Sequence, residues 1–176
     1  MESCRLKILA PSMDHASLML EAIRESKVEL SQFLDWVPFA LTEEESLKNT
    51  ERAITNFEKF EDELRFSLVE KVSGCFLGTV GLIIRDKEIP FFEIGYWIRS
   101  SHAGSGYVTE AVKVIEKYAF DELGARRVEI KMAVGNHKSR AVAERCGYEL
   151  EGIFRNDRKL PDGQVSSTMV YAKTKP

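Results

Sequence analysis

An α/β chain of the α+β kind, with one mixed, mostly antiparallel sheet flanked by helices, is what the order of hydrophobic periods predicts. Three observations carry it. Helix-period stripes fill the first third, three short-linked strand-period runs fill the middle, and a strand-helix-strand unit begins after residue 90. Strands joined by short turns pair antiparallel, whereas strands joined through a helix pair parallel with a right-handed crossover.

Leu6, Ile8 and Ala10 alternate before Pro11, which predicts a first strand. Ser12 is placed to cap a helix with the stripe Ala16, Met19, Leu20 and Ile23. A second helical stretch holds Leu30, Phe33 and Leu34 and stops before Pro38. Thr42-Glu43-Glu44-Glu45 spells a capping box for a helix expected to turn Leu47, Ile54 and Phe57 inward. The period then changes: Phe66 and Leu68, Phe76 to Ile84, and Phe91 to Ile98 are strand-like runs separated by Val72-Ser73-Gly74 and Asp86-Lys87-Glu88 turns. After a loop from Arg99 to Gly106 comes a helix with Val108, Ala111, Val112, Ile115 and Ala119 on one face, stopped by Gly124, and a β-rich run from Arg127 to Val134. A helix from Lys138 to Cys146 and two strands around Tyr148 to Phe154 and Val165 to Ala172 complete the chain. No repeat or low-complexity segment interrupts the 176 residues, so one domain, 1–176, is expected.

The composition is that of an ordinary globular protein, with 44% hydrophobic and 30% charged residues. No run approaches the ~18 apolar residues of a membrane span, and Met1 to Lys7 lacks a secretory layout, so a cytoplasmic protein with no membrane partner is expected. Cys4, Cys75 and Cys146 are far apart and form no C-x-x-C pair, and His15, His102 and His137 show no ligand spacing. They read as free thiols and loop histidines, with no metal site. A net charge of −3 argues against a nucleic-acid partner. The charge is unevenly placed: residues 1–70 hold 8 Lys/Arg and 15 Asp/Glu, net −7, and residues 71–176 are net +4.

The chemistry is expected at Ser100-Ser101-His102-Ala103-Gly104-Ser105-Gly106-Tyr107, a small-residue turn between a strand and a helix. Glycines let a ligand approach the backbone, and the N–H groups of such a loop and first helical turn suit phosphate oxygens. A dinucleotide fingerprint needs a third glycine where Thr109 stands, and a P-loop lysine is absent, so neither nucleotide fold fits.

Three segments resemble one family at consistent spacing: Glu93-Ile94-Gly95-Tyr96-Trp97-Ile98, Gly104-Ser105-Gly106-Tyr107-Val108-Thr109-Glu110-Ala111, and Asn136-His137-Lys138-Ser139-Arg140-Ala141 followed by Gly147-Tyr148 and Glu151-Gly152. Together they resemble the GNAT superfamily of acetyl-CoA-dependent N-acetyltransferases, most nearly the ribosomal-protein N-terminal type. The resemblance covers essentially the whole chain. It implies a splayed sheet and acetyl-CoA as co-substrate, with the pyrophosphate on the amides of Ala103, Gly104, Ser105, Gly106 and Tyr107. It further implies that backbone groups of Tyr96, Trp97 and Ile98 pair with pantetheine as though it were an added strand, with Arg99 nearby and Asn136 bonded to the same arm. Relatives often carry an aromatic or glutamine in place of Ala103 and a basic residue in place of Ser105, which shifts phosphate binding toward the amides and Arg99 or Arg140.

Acetyl transfer needs a neutral amine, a polarised thioester and help for the departing thiolate. Glu93, among apolar neighbours, is the candidate base, with a paired structural carboxylate as the other reading. Ser139 resembles the family serine near the sulfur and is assigned as a hydrogen-bond donor to it, with a plain helix-start serine as the alternative. The tyrosine that some relatives place seven residues after the asparagine is Ala143 here, and an aspartate many carry near the C-terminus is Ser167. Trp36 and Phe39, around Pro38, resemble the segment bordering the acceptor, although aromatics beside a proline are core more often.

Two classes of function stay open. One is an enzyme acting on the α-amine of a protein or peptide, or on a polyamine or other small amine; the other is an idle acyl-CoA-binding domain. A homodimer is expected only by analogy.

Overall fold

The computed structural model describes residues 1–175, and Pro176 of the expected domain lies outside them. Seven strands form one sheet: β1 (Leu6–Leu9), β2 (Glu63–Glu70), β3 (Phe76–Asp86), β4 (Phe91–Ile98), β5 (Arg127–Ala133), β6 (Glu149–Lys159) and β7 (Val165–Thr174). Their order is β1-β2-β3-β4-β5-β7-β6. β1 to β4 are antiparallel neighbours, as are β5, β7 and β6. The two groups meet only where β4 and β5 run parallel. The sheet is therefore mixed and mostly antiparallel, as its linker lengths predict, with the last strand inserted between β5 and β6.

Helix α4 (Tyr107–Asp121) supplies the crossover between β4 and β5. Its buried Ala111, Val112, Ile115 and Ala119 pack into one core with Leu64, Phe66, Leu68, Val80, Leu82, Phe92 and Ile94 from the sheet. Burying each large side chain contributes about 1.5–3 kcal/mol, so this face fixes the positions of β3 and β4. A second cluster uses the other face of β3 and β4, where Phe76 and Trp97 meet Met19, Ala22 and Ile23 of α1 (Ala16–Glu25) together with Leu30 and Val37. Trp97 thus anchors β4 to the first third of the chain.

Three local expectations change. Ser12 caps a short 3-10 turn, Met13–His15, that leads into α1. The second helical stretch narrows to α2 (Lys27–Leu30), and Phe33 lies in a turn and Leu34 in irregular chain before another 3-10 turn at Val37–Phe39, where Pro38 fits the start of a helical turn. Helix α3 (Glu43–Lys59) has the expected capping box between Thr42 and Glu45, but its buried residues are Ser46, Thr50 and Ala53. Leu47 is 40% exposed, and Phe57 is only half-buried against Phe66. Small residues win the inward face because α3 lies close on α1: the Ser46 hydroxyl donates to the Ala16 carbonyl at 2.7 Å, and the Thr50 hydroxyl to the Ser46 carbonyl at 2.8 Å.

Candidate active site

The parallel contact between β4 and β5 lasts for three residue pairs, Phe91, Phe92 and Glu93 against Arg127, Val128 and Glu129. Beyond Glu93 the strands part. On its other side β4 stays paired with β3 through Ile98, so the edge of Ile94 to Ile98 that faces β5 has no strand partner among the described residues. An open parallel edge presents alternating N–H and C=O groups that must be satisfied by water or by a ligand running like a strand.

Charge closes the seam where the opening begins. Arg85 donates to Glu93 Oε2 at 2.6 Å, Lys131 of β5 lies 3.6 Å from the same oxygen, and Lys131 also pairs with the buried Glu129. Arg127 continues the chain by binding Glu129 at 3.0 Å and Glu151 at 2.6 Å. Glu93 is therefore both a paired carboxylate and a group at the mouth of the opening. Its ion pairs fall on Oε2, so among the described residues Oε1 has no protein donor.

At the far end of β4 the loop is clamped from several sides. Arg99 is held by Glu21 at 2.8 Å and Glu25 at 3.4 Å, which commits its guanidinium to α1. The Ser100 amide donates to the buried Ser26 hydroxyl at 2.8 Å, and the Ser101 hydroxyl to Glu25 at 2.6 Å. Gly104 and Gly106 have φ of +81° and +82°, a region that side chains disfavour, and Gly106 caps α4. This backbone leaves the N–H groups of Gly104, Ser105, Gly106 and Tyr107 without a protein acceptor among the described residues. They sit at the positive end of the α4 dipole. Ala103 is tied back, its amide donating to the Ser100 carbonyl at 3.1 Å.

Arg5, which no sequence signal singled out, reaches this loop from one hundred residues away. Its guanidinium donates to the Ser105 carbonyl at 3.0 Å, pairs with Glu110 at 2.8 Å and lies 4.2 Å from the Tyr107 ring centre. Ser3 binds the same Glu110 at 2.5 Å, and the Tyr107 hydroxyl donates to Glu70. A cation paired with Glu110 thus stands beside Ser105, brought there by the segment that leads into β1.

Helix α5 (His137–Arg145) borders the opening beyond β5. Asn136 caps it, its Oδ1 accepting from the Ser139 amide at 3.1 Å, because a side-chain oxygen satisfies an N–H that the first turn leaves free. The Ser139 hydroxyl lies 2.9 Å from the Tyr96 hydroxyl, and Tyr96 also donates to the Ser139 carbonyl at 3.2 Å. Burial pushes the Tyr96 phenol far above the ordinary tyrosine range. Asn136, Ser139 and Tyr96 therefore form one cluster across the opening. Arg140 is paired with Glu144 on the same helix at 2.8 Å.

Strand alternation puts Glu93 and Trp97 on the face opposite Tyr96. On that face Trp36 packs on Trp97 with ring centres 6.2 Å apart, while Phe39 is 71% exposed. Between Glu93 and Trp97 stands Gly95, where an added Cβ would meet only Ile83, at 3.7 Å. The missing side chain leaves a notch beside the opening. Ser167 lies at β7, its hydroxyl accepting from the Asn156 amide at 3.1 Å, and so stitches the β6–β7 hairpin.

Comparison with known proteins gives the architecture a family. The ribosomal-protein-serine acetyltransferase of Escherichia coli (strain K12) is 27% identical over 171 residues, covering 96% of this chain and 92% of that protein. YdaF of Bacillus subtilis (strain 168) is 45% identical over 83 residues and YjcK of the same organism 36% over 102, but those matches span only 45% and 56% of the two proteins, about half their length. Among solved structures, the microcin C7 self-immunity acetyltransferase MccE in complex with acetyl-CoA and AMP superposes with a TM-score of 0.89 at 26% identity, over 98% of this chain and 93% of that one. RimL, a ribosomal L7/L12 α-N-protein acetyltransferase in complex with coenzyme A, has a TM-score of 0.90 over 98% and 95% of the two chains; at 24% identity it speaks for the fold. The acetyltransferase (GNAT) domain model matches residues 5–149, and the chain belongs to that family.

Proposed function

We propose that this chain is an acetyl-CoA-dependent N-acetyltransferase that acts on a primary amine, the N-terminal α-amine of a ribosomal protein or another peptide, in the cytoplasm. The observation that carries it is the opened β4 edge ending in a loop of unpaired amides. A pantetheine arm satisfies the first, and a pyrophosphate satisfies the second. The acetyl-CoA complex of the MccE neighbour and the name of the Escherichia coli relative support the reading.

In this reading Gly104 to Tyr107 hold the pyrophosphate with Arg5 beside them, Tyr96 to Ile98 pair with pantetheine, and Asn136 borders the same arm. The amine enters on the Gly95 face, between Trp36 and Glu93. Glu93 Oε1 takes the amine's surplus proton directly or through a water, while Ser139 faces the sulfur from the other side of β4. Nucleophile and leaving group are then served from opposite faces.

The acceptor follows from titration. An α-amine with pKa of about 8 is roughly a tenth to a fifth neutral near pH 7, whereas a lysine-like amine at about 10.4 is well under ~0.1% neutral. Steady-state assays with free and N-terminally blocked peptides and with spermidine test it. Turnover of free peptides alone is expected. Turnover of spermidine alone would move the assignment to a small cationic amine, which the net charge of −7 over residues 1–70 would attract. Turnover of nothing would leave a binding domain.

A further inference from the structure

Pairing with pantetheine would use only the backbone of Tyr96 and leaves its side chain without a role. Among the described residues its hydroxyl makes the side-chain hydrogen bonds that join β4 to α5 across the opening, at 2.9 Å from Ser139 Oγ and 3.2 Å from the Ser139 carbonyl. A hydroxyl has one proton and two acceptor sites, so this pair has two arrangements. In one, Tyr96 donates to the Ser139 carbonyl and Ser139 donates to Tyr96. In the other, Tyr96 donates to Ser139 Oγ, and the serine proton is free to point elsewhere.

We propose that Tyr96 is a positioning residue that acts through Ser139, turning the serine proton toward the sulfur of the thioester as that sulfur becomes a thiolate. The inference rests on the acetyltransferase reading above and deepens it. When the amine attacks, the C–N bond forms, the C–S bond breaks, and its electron pair leaves on sulfur. The amine's surplus proton goes to Glu93 or water, so Ser139 and Tyr96 need only donate hydrogen bonds and neither loses its proton. Serine alone is a weak donor, and a donor that itself accepts a hydrogen bond is strengthened. Two further observations fit. Burial keeps the Tyr96 phenol protonated across the working pH range, so it can always donate. Asn136 caps the Ser139 amide at 3.1 Å and so fixes the backbone of the first turn of α5, which holds the serine within reach of Tyr96.

The test is steady-state thiol release from acetyl-CoA by wild type, Tyr96→Phe, Ser139→Ala and the double variant, on whichever amine is accepted. Tyr96→Phe keeps the ring and its packing. It is expected to lower kcat about tenfold with the KM for acetyl-CoA within about twofold, because the bond strengthens only in the transition state. Ser139→Ala should lose at least as much, and the double variant no more than Ser139→Ala alone, since the tyrosine has nothing to act through. Ser139→Thr, which keeps a hydroxyl, should recover most of the loss; if Tyr96→Phe fails to fold, Tyr96→Met, which also lacks the hydroxyl, is read by the same criteria. A wild type that turns over an amine while Tyr96→Phe stays within twofold, or losses that add in the double variant, would overturn the pair. A wild type that releases no thiol with any amine or with water would remove the acetyltransferase reading, and this inference with it.

Discussion

The two ends of the β4–β5 seam are built in opposite ways. Up to Glu93 the strands are hydrogen-bonded, and an alternating chain of charges, Arg85, Glu93, Lys131, Glu129 and Arg127, crosses the seam at the point where they part. Above it they separate, and the hydroxyls of Tyr96 and Ser139 bridge the gap. Ion pairs over a partly buried seam hold a geometry because breaking one leaves a charge uncompensated, whereas two neutral hydroxyls can change partners at little cost. The closed end sets how far the strands diverge, and the open end is left for a ligand. Glu93 belongs to both, which is why one residue serves there as a strut and a candidate base.

The largest effect expected is at the loop. Gly104→Asp places a carboxylate where phosphate is expected; its Cβ meets nothing within 4 Å, so the cost to the fold is the backbone strain at φ +81°, about 1–2 kcal/mol and least for Asn and Asp, and a melting curve checks that the variant folds. Acetyl-CoA at a hundredfold over its Kd stabilises the wild type by about 2.7 kcal/mol, a rise of roughly 5–10 °C in Tm. The variant should lose most of that rise in a thermal-shift titration. An unchanged rise in a folded variant would place the phosphates elsewhere.

Glu93→Gln comes next and separates the strut from the base. A lost base costs about 10²- to 10⁴-fold in kcat, most at low pH where little amine is neutral. Lys131→Met disturbs the same seam without touching Oε1, so it is the control. If both variants fall by less than about tenfold, Glu93 is a strut alone.

Much of this comparison was legible in the residues, and the illegible part has a common cause. Capping chemistry and period are local, so the Thr42–Glu45 box, the meander and the crossover helix could be read directly. Gly104 and Gly106 were legible because only glycine takes their φ readily. Contacts between distant segments were not. Arg5 lies one hundred residues from Ser105, the Tyr96 side chain meets α5 only through the fold, and Arg99, expected near the cofactor, is drawn to α1 by two carboxylates. The inward face of α3 misled for a related reason: Leu47 follows the helical period, but close approach to α1 selects Ser46 and Thr50.

The smallest effect expected concerns the strap at the loop. Burial alone would raise the Glu110 carboxyl, but the Ser3 hydroxyl, the Arg5 amide and the Arg5 guanidinium overcome it and hold it below the ordinary range. An acid depressed in this way stabilises the fold above its unfolded value of about 4.3, and that stability is lost as pH falls through the folded value. Glu110→Gln should therefore melt below the wild type near neutral pH, and the two Tm values should converge below about pH 4. Curves that stay parallel into acid would take the strap out of the stability of this region.

Hydrogen exchange with and without acetyl-CoA reads the open β4 edge and the loop amides themselves. Added acetyl-CoA is expected to slow exchange at residues 95–98 and 104–107, with no matching change along the closed segment 127–129. Protection spread evenly over the sheet, or absent from both 95–98 and 104–107, would contradict the placing of acetyl-CoA on that edge and loop.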